Sequence, residues 1–125
     1  SLWTASRYNI PVIIVILNNR SYDSERQALY MTSHVVKNNN DLWKDMACYL
    51  GDPVVDFTNI ANGFDIDGEK VSEPDDLKSA FSRAAAITRE GRPYIIDAVI
   101  ARRGKAADST WHPEISIADH RTTKV

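Results

Sequence analysis

The chain has 125 residues, 43% hydrophobic and 26% charged, which suits one compact domain with a buried core. Fifteen Lys and Arg against seventeen Asp and Glu leave a net charge of −2, so there is no global basic field to hold nucleic acid. The single Cys48 excludes an internal disulfide, no Cys/His set has zinc spacing, and Ser1-Leu2-Trp3 opens no signal-peptide pattern. The longest apolar run, Val12 to Leu17, is far short of the roughly 18 residues of a membrane helix. These features read as a soluble, cytoplasmic globular piece. The start without methionine, inside a helical pattern of Leu2, Trp3, Ala5 and Tyr8, suggests a portion of something longer.

In chain order, the opening helix is expected to end at Pro11, which lacks a backbone donor and disfavours helix at Ile10. Val12 to Leu17 is apolar at every position and mostly β-branched, so it reads as an interior strand covered on both faces, as in a parallel sheet. A helix follows from Tyr22 to about Thr32, with Asp23 or Ser21 as cap. Asn38-Asn39-Asn40 signals a turn, and Leu42, Trp43, Met46, Ala47 and Leu50 suit a short amphipathic helix.

Asp52-Pro53 reads as the next helix start, with Phe57, Ile60, Ala61 and Phe64 as its apolar stripe. Ile66 to Val71 is a short strand interrupted by Gly68. Ser72-Glu73-Pro74-Asp75 has the form of a capping box ahead of a helix with Leu77, Phe81, Ala84, Ala85 and Thr88 on one face. Gly91 and Pro93 close that helix, and Tyr94 to Ile100 forms a second buried strand. The order predicts an α/β fold, a partial doubly wound parallel sheet flanked by helices, over residues 1–101. Residues 102–125 read as a polar tail with Trp111, Ile115 and Ile117 as apolar anchors.

Open α/β sheets bind ligands at the carboxyl ends of their strands, which directs attention to Asn18-Asn19-Arg20-Ser21-Tyr22-Asp23. Asn side chains and exposed turn carbonyls offer hard oxygen ligands suited to Mg²⁺ or Ca²⁺, and a helix beginning just after them points N–H groups at an anion. Ordinary turn chemistry is the competing account of the same residues.

Leu2-Trp3-Thr4-Ala5, Tyr8-Asn9-Ile10-Pro11-Val12, then Val15-Ile16-Leu17-Asn18-Asn19 and Tyr22, resembles the second half of the thiamine-diphosphate motif. Asp56-Phe57, Ile60-Ala61 and Gly63-Phe64 resemble the next helix of that family, and Gly91-Arg92-Pro93-Tyr94-Ile95-Ile96-Asp97 its last core strand. The chain is therefore similar to thiamine-diphosphate-dependent enzymes of the benzoylformate decarboxylase and acetolactate synthase type, over roughly residues 2 to 100. The resemblance implies the C-terminal portion of a diphosphate-binding domain, part of a larger three-domain, cytoplasmic, homodimeric or homotetrameric enzyme. It implies thiamine diphosphate and Mg²⁺ as cofactors and a 2-oxo acid or related carbonyl compound as substrate, in decarboxylation (lyase) or carboligation (transferase).

Carried over by position, the Asn19 side-chain oxygen and the Ser21 backbone carbonyl would be metal ligands, Tyr22 would lie beside the diphosphate, and Asn18 would serve the turn or reach a phosphate. No catalytic residue is expected within this segment. The family's Gly-Asp-Gly half-motif, which supplies another metal ligand, would precede Ser1, and its activating glutamate would come from a partner subunit. The isolated 125 residues are thus expected to be inactive and to have negligible cofactor affinity. Asp23 and Asp65 depart from the family, standing where related sequences often have glycine. The alternative reading is a non-catalytic α/β module for subunit contact or another nucleotide-like ligand.

Among the remaining residues, His34, His112 and His120 read as surface histidines, with Trp111 and His112 the outside candidates for substrate contact. Arg102-Arg103-Gly104-Lys105 reads as a solvated turn or subunit contact, and Cys48 as a small buried apolar residue. Leu29-Tyr30-Met31 suits either a substrate-facing stretch or core packing.

Overall fold

The computed structural model describes residues 1–38 and 48–101. Two compact units share the chain: one contains Ser1–Asn18 and Asp56–Ile100, the other Asn19–Val55. The first unit holds helix α1 (Leu2–Arg7), strand β1 (Ile13–Asn18), helix α4 (Phe57–Asn62), strand β2 (Asp67–Val71), a 3₁₀ turn (Pro74–Asp76), helix α5 (Leu77–Arg89) and strand β3 (Tyr94–Val99). The second holds helices α2 (Asp23–Thr32) and α3 (His34–Lys37). The expected helix over Leu42 to Leu50 lies outside the described residues up to Ala47, and its last three residues are not helical, with Tyr49 in a bridge to Ser21; the end of the Asn38–Asn40 turn and the whole 102–125 tail lie outside the described residues.

The sheet of the first unit is parallel throughout, in the order β1-β3-β2. Its central strand β3 is buried from Tyr94 to Ala98, matching the continuous apolar run of its sequence. On one face, Tyr94, Ile96, Ala98 and Val71 pack with Ala80 and Ala84 of α5, flanked by Ile13, Leu77 and Ile87. On the other, Ile95 and Ile66 pack with Ala5 of α1 and Ala61 of α4, flanked by Ile14 and Ile16. Burying side chains such as Ile95 and Ile96, at 1% and 0% exposure, stabilises the fold by about 1.5–3 kcal/mol each.

Several expectations need correction. The opening helix ends at Arg7 rather than being carried to Pro11. Asn9 adopts φ 49, Asn9 N–H donates to the Ser6 carbonyl, and Ile10 N–H donates to the Ala5 carbonyl. That left-handed closure satisfies the last helical carbonyls before the proline is reached. Strand β1 is an edge strand of the described sheet: α5 covers its Ile13 end, while Val15 and Leu17 are 39% and 69% exposed.

Asp52-Pro53 does not begin a helix but lies in the turn bridged by Gly51 and Val54. The cap of α4 is Asp56, whose carboxylate accepts from the Asn59 backbone N–H at 2.9 Å and from the Thr58 hydroxyl at 2.7 Å. The apolar stripe of α4 is covered only in part, since Ala61 is fully buried while Ile60 and Phe64 are 46% and 39% exposed. No side-chain capping bond forms at Ser72 to Asp76; Pro74 opens the 3₁₀ turn, and α5 starts three residues later. The buried stripe of α5 runs through Leu77, Ala80, Ala84 and Ile87, one position round from expectation, because the small alanines let the helix approach the sheet. Phe81 is 40% exposed. Gly91 closes α5 as expected, at φ 86, with its N–H on the Thr88 carbonyl and the Arg92 N–H on the Ile87 carbonyl.

Gly68 is required by close approach. A Cβ there would collide with Ile95 Cγ2 and lie 2.8 Å from the Ile95 carbonyl oxygen. Asp65 has φ 58, a left-handed backbone that favours glycine and that aspartate tolerates.

Two polar features sit on opposite faces of the sheet. Glu69 on β2 accepts two hydrogen bonds from the Arg83 guanidinium of α5, at 2.9 and 2.5 Å, and a third from the Tyr94 hydroxyl at 3.0 Å. The Arg83 hydrogen bonds hold the Glu69 carboxyl below its ordinary range, and bonding by Thr58 does the same for Asp56. Depressed carboxyl values mean stability that is present above about pH 4.5 and is lost as the pH falls through the folded values. Acid titration of unfolding should therefore show this loss, and Arg83→Met should flatten the part due to Glu69 while the part due to Asp56 persists.

Asp97, facing the opposite way between Ile16 and Lys70 in register, is 1% exposed, and neither carboxyl oxygen has a hydrogen-bond partner among the described residues. An orphaned buried polar group costs about 1–3 kcal/mol. Asp97→Val, smaller by one heavy atom and suited to a strand, should raise stability by about that amount in denaturant unfolding. A loss of stability would mean that a donor from outside the described residues holds the carboxyl group.

Candidate cofactor-anchoring turn

The chain leaves the carboxyl end of β1 through residues too polar to extend the strand, and the first helical residue is Asp23. Asn18, the last residue of β1, is 6% exposed, and its carbonyl accepts from the Ile100 N–H at 3.0 Å. It thus belongs to the first unit and to the end of the sheet.

Asn19, Ser21 and Tyr22 belong to the second unit and form one tight turn. The Asn19 Oδ1 accepts from the Ser21 backbone N–H at 3.0 Å, and Arg20 between them takes φ 56. This is an Asx turn, a conformation that a short amide side chain stabilises well. The turn is clipped from the other side by residues 48–50. Tyr22 N–H donates to the Cys48 carbonyl and Leu50 N–H donates to the Arg20 carbonyl, both at 2.8 Å.

These bonds flank the antiparallel Ser21–Tyr49 bridge, so Ser21 and Tyr49 are a narrow pair whose own N–H and C=O groups point away from the facing segment. The Ser21 carbonyl is therefore not consumed by the clip. Its hydroxyl oxygen is buried and has no hydrogen-bond partner among the described residues. Tyr22 stands at the N-cap position of α2, 55% exposed.

The donor set fits a hard cation. Asn19 Oδ1 retains a second lone pair beyond its bond to Ser21 N–H, the Ser21 carbonyl faces away from the clip, and both are neutral oxygens of the kind Mg²⁺ takes alongside water and phosphate. No group of three or more His, Cys, Asp or Glu that could hold a metal occurs among the described residues.

The helix cap departs from expectation: the N-cap of α2 is Tyr22 rather than Ser21 or Asp23. Asp23 is the first residue of the helix and only 7% exposed. Leu29 is 37% exposed on α2, and the side chains of Tyr30 and Met31 lie outside the described residues. His34 is exposed, while His112, His120, Trp111 and the basic cluster at 102–105 lie outside the described residues. Cys48 is buried. The clip by residues 48–50 is the element that sequence reasoning missed. Its only sequence signal is Gly51, where a Cβ would overlap the Tyr49 ring.

Residues 1–98 match the family model described as the thiamine pyrophosphate enzyme, C-terminal TPP binding domain. The chain belongs to this family. Among solved structures, the fold is similar to the thiamine diphosphate-dependent 4-hydroxybenzoylformate decarboxylase of Rhodococcus jostii RHA1, at 25% identity and a TM-score of 0.61. The match covers 80% of this chain and 16% of that one. The turn described above thus lies inside the segment matched to the thiamine pyrophosphate enzyme family. No helix among the described residues is long and apolar enough to cross a membrane.

Gly51→Ala should push the Tyr49 ring away and loosen the clip. The expected result is amide hydrogen exchange at Tyr22 and Leu50 faster by about tenfold, the effect of roughly 1.4 kcal/mol of overpacking. Unchanged exchange would show that the clip does not depend on the close approach at Gly51.

Proposed function

We propose that this chain forms the metal-anchoring half of the diphosphate site in a thiamine-diphosphate- and Mg²⁺-dependent enzyme acting on 2-oxo acids. The observation that carries the reading is the turn itself. The Asn19 amide oxygen, fixed by the Ser21 N–H, and a Ser21 carbonyl directed away from the 48–50 clip share one turn at the carboxyl end of a parallel strand. Asn19 and Ser21 would hold the cation, Tyr22 would lie beside the diphosphate, and Asn18 would fix the end of the strand from which the turn departs.

When bound, thiamine diphosphate supplies an electron sink for making or breaking the bond next to a carbonyl. This chain's own task is positional. It holds two neutral oxygens in one rigid turn, so that charge neutralisation falls to a divalent ion rather than to an acid or base side chain. Decarboxylation is the favoured reaction, supported by the similarity to a 4-hydroxybenzoylformate decarboxylase, and carboligation shares the same anchor. The remaining parts of the site would come from other segments and from a partner subunit of a homodimer or homotetramer, in the cytoplasm. The isolated 125 residues are accordingly expected to bind the cofactor negligibly.

Asn19→Ala in the full-length enzyme tests the reading. Removing one of the ion's few protein ligands should weaken Mg²⁺ and thiamine diphosphate binding by at least tenfold in calorimetry, with the circular dichroism spectrum unchanged. Unchanged affinity would remove Asn19 from the anchor. Failure of the full-length protein to bind the cofactor at all would favour a non-catalytic subunit-contact module.

A further inference from the structure

Asp97 is a buried group that the local fold leaves unanswered. Along β3 it alternates with Ile96 and Ala98, which pack with α5, so it faces the layer of α1 and α4 together with Ile95. It is 1% exposed, and both carboxyl oxygens are enclosed without a hydrogen-bond partner among the described residues. Its neighbours in register supply none: Ile16 is aliphatic, and Lys70 is exposed and not bonded to it. Buried polar groups are hydrogen-bonded as a rule, and a carboxyl group with two orphaned oxygens calls for a pair of donors.

The place of Asp97 on the sheet narrows the source of those donors. A six-residue strand such as β3 runs about 20 Å, whereas α1 and α4, six residues each, run about 9 Å. Both helices pack through alanines in the cluster of Ile95, two residues short of Asp97, and neither spans the face from end to end. Toward the carboxyl end the same face carries Asn18, two residues beyond Ile16 and 6% exposed. Buried polar groups thus mark the carboxyl end of a face that is aliphatic at Ile14 and Ile95. The matched region is 16% of the related decarboxylase, so an enzyme of that build has other segments to pack there.

We propose that Asp97 is a fastening point: a segment of the full-length enzyme outside these 125 residues presents two N–H donors to its carboxyl oxygens, as a guanidinium or as consecutive main-chain amides, and is thereby positioned beside the end of β1. Asp97 precedes by two residues Val99, the register partner of Asn18, after which the chain enters Asn19. A segment held there is set in place for the diphosphate site. That second step rests on the anchor reading of Asn19 and Ser21; the fastening itself does not. Asp97 is a positioning residue, with no contact to cofactor or substrate assigned to it.

The test uses the full-length enzyme, with folding verified by circular dichroism. Asp97→Val, which stabilises the sheet if the carboxyl group is orphaned, should instead lower the thermal midpoint, because it strands the incoming donors. With saturating Mg²⁺ it should also weaken thiamine diphosphate binding in calorimetry by about tenfold, the size of one or two lost hydrogen bonds. Asp97→Asn keeps one acceptor oxygen and should restore part of both. A midpoint at or above the parent's for Asp97→Val would overturn the fastening. A lowered midpoint with parental affinity would overturn the positioning role. If Asp97→Val does not fold, a crystal structure of the parent decides. N–H donors from another segment on both carboxyl oxygens support the proposal and tell a guanidinium from main-chain amides, and water alone there overturns it. Asn19→Ala in the same titration separates the two readings: parental affinity removes the anchor, while the midpoint of Asp97→Val still judges the fastening.

Discussion

The parallel ladder between β1 and β3 is the constraint on which the rest depends. It pairs Ile13 with Tyr94 and continues in step to Asn18 with Val99, so both strands end on the same side of the sheet. The Ile100 N–H then closes on the Asn18 carbonyl. Because β3 is buried along nearly its whole length and packed on both faces, a one-residue slip would exchange Ile95 and Ile96 between the two layers and turn the Asp97 carboxylate into the layer packed by α5. The register therefore fixes which residue ends β1, and the chain that follows must turn at Asn19.

The second unit stabilises that turn by separate means. The Asx bond from Ser21 N–H to Asn19 sets the local curvature, and residues 48–50 hold Arg20 and Tyr22 by their backbones. Both devices use the main chain of Arg20, Ser21 and Tyr22 without engaging the Ser21 carbonyl across the bridge. Two buried carboxylates stand apart from this economy of neutral groups. Asp97 lies within the sheet with no partner among the described residues, and Asp23 lies at the start of α2. A carboxylate at a helix start is locally favourable, whereas the strand position of Asp97 would suit an apolar residue, so Asp97 points to a demand made beyond the local fold.

The fold was legible in the sequence where one physical signal dominated. The unbroken apolar run at Tyr94 to Ile100 gave a central strand, Gly91 gave a helix end, and the alternation of elements gave a parallel α/β sheet. Errors arose where two local signals competed. Asn9 closed the first helix before Pro11 had the chance, Asp56 capped α4 in place of Asp52, and Ala80 displaced Phe81 from the sheet-facing side of α5. In the last case size outweighed hydrophobicity, because a helix lying close on a sheet needs small residues at the contact. The turn at Asn19 to Tyr22 was visible as a polar break after a strand. Its clip by Cys48 to Leu50 was not, because it consists of backbone bonds between residues far apart in sequence that carry no side-chain pattern.

The central claim is that Asn19 and Ser21 bind the cation through an amide oxygen and a main-chain carbonyl. It is tested most directly by a crystal structure of the full-length enzyme grown with thiamine diphosphate and Mn²⁺ in place of Mg²⁺, using the anomalous signal of the metal. The account predicts an anomalous peak about 2.0–2.3 Å from both Asn19 Oδ1 and the Ser21 carbonyl oxygen, with further positions filled by other oxygen ligands. A peak elsewhere, with Asn19 and Ser21 engaged only in their turn, would contradict it.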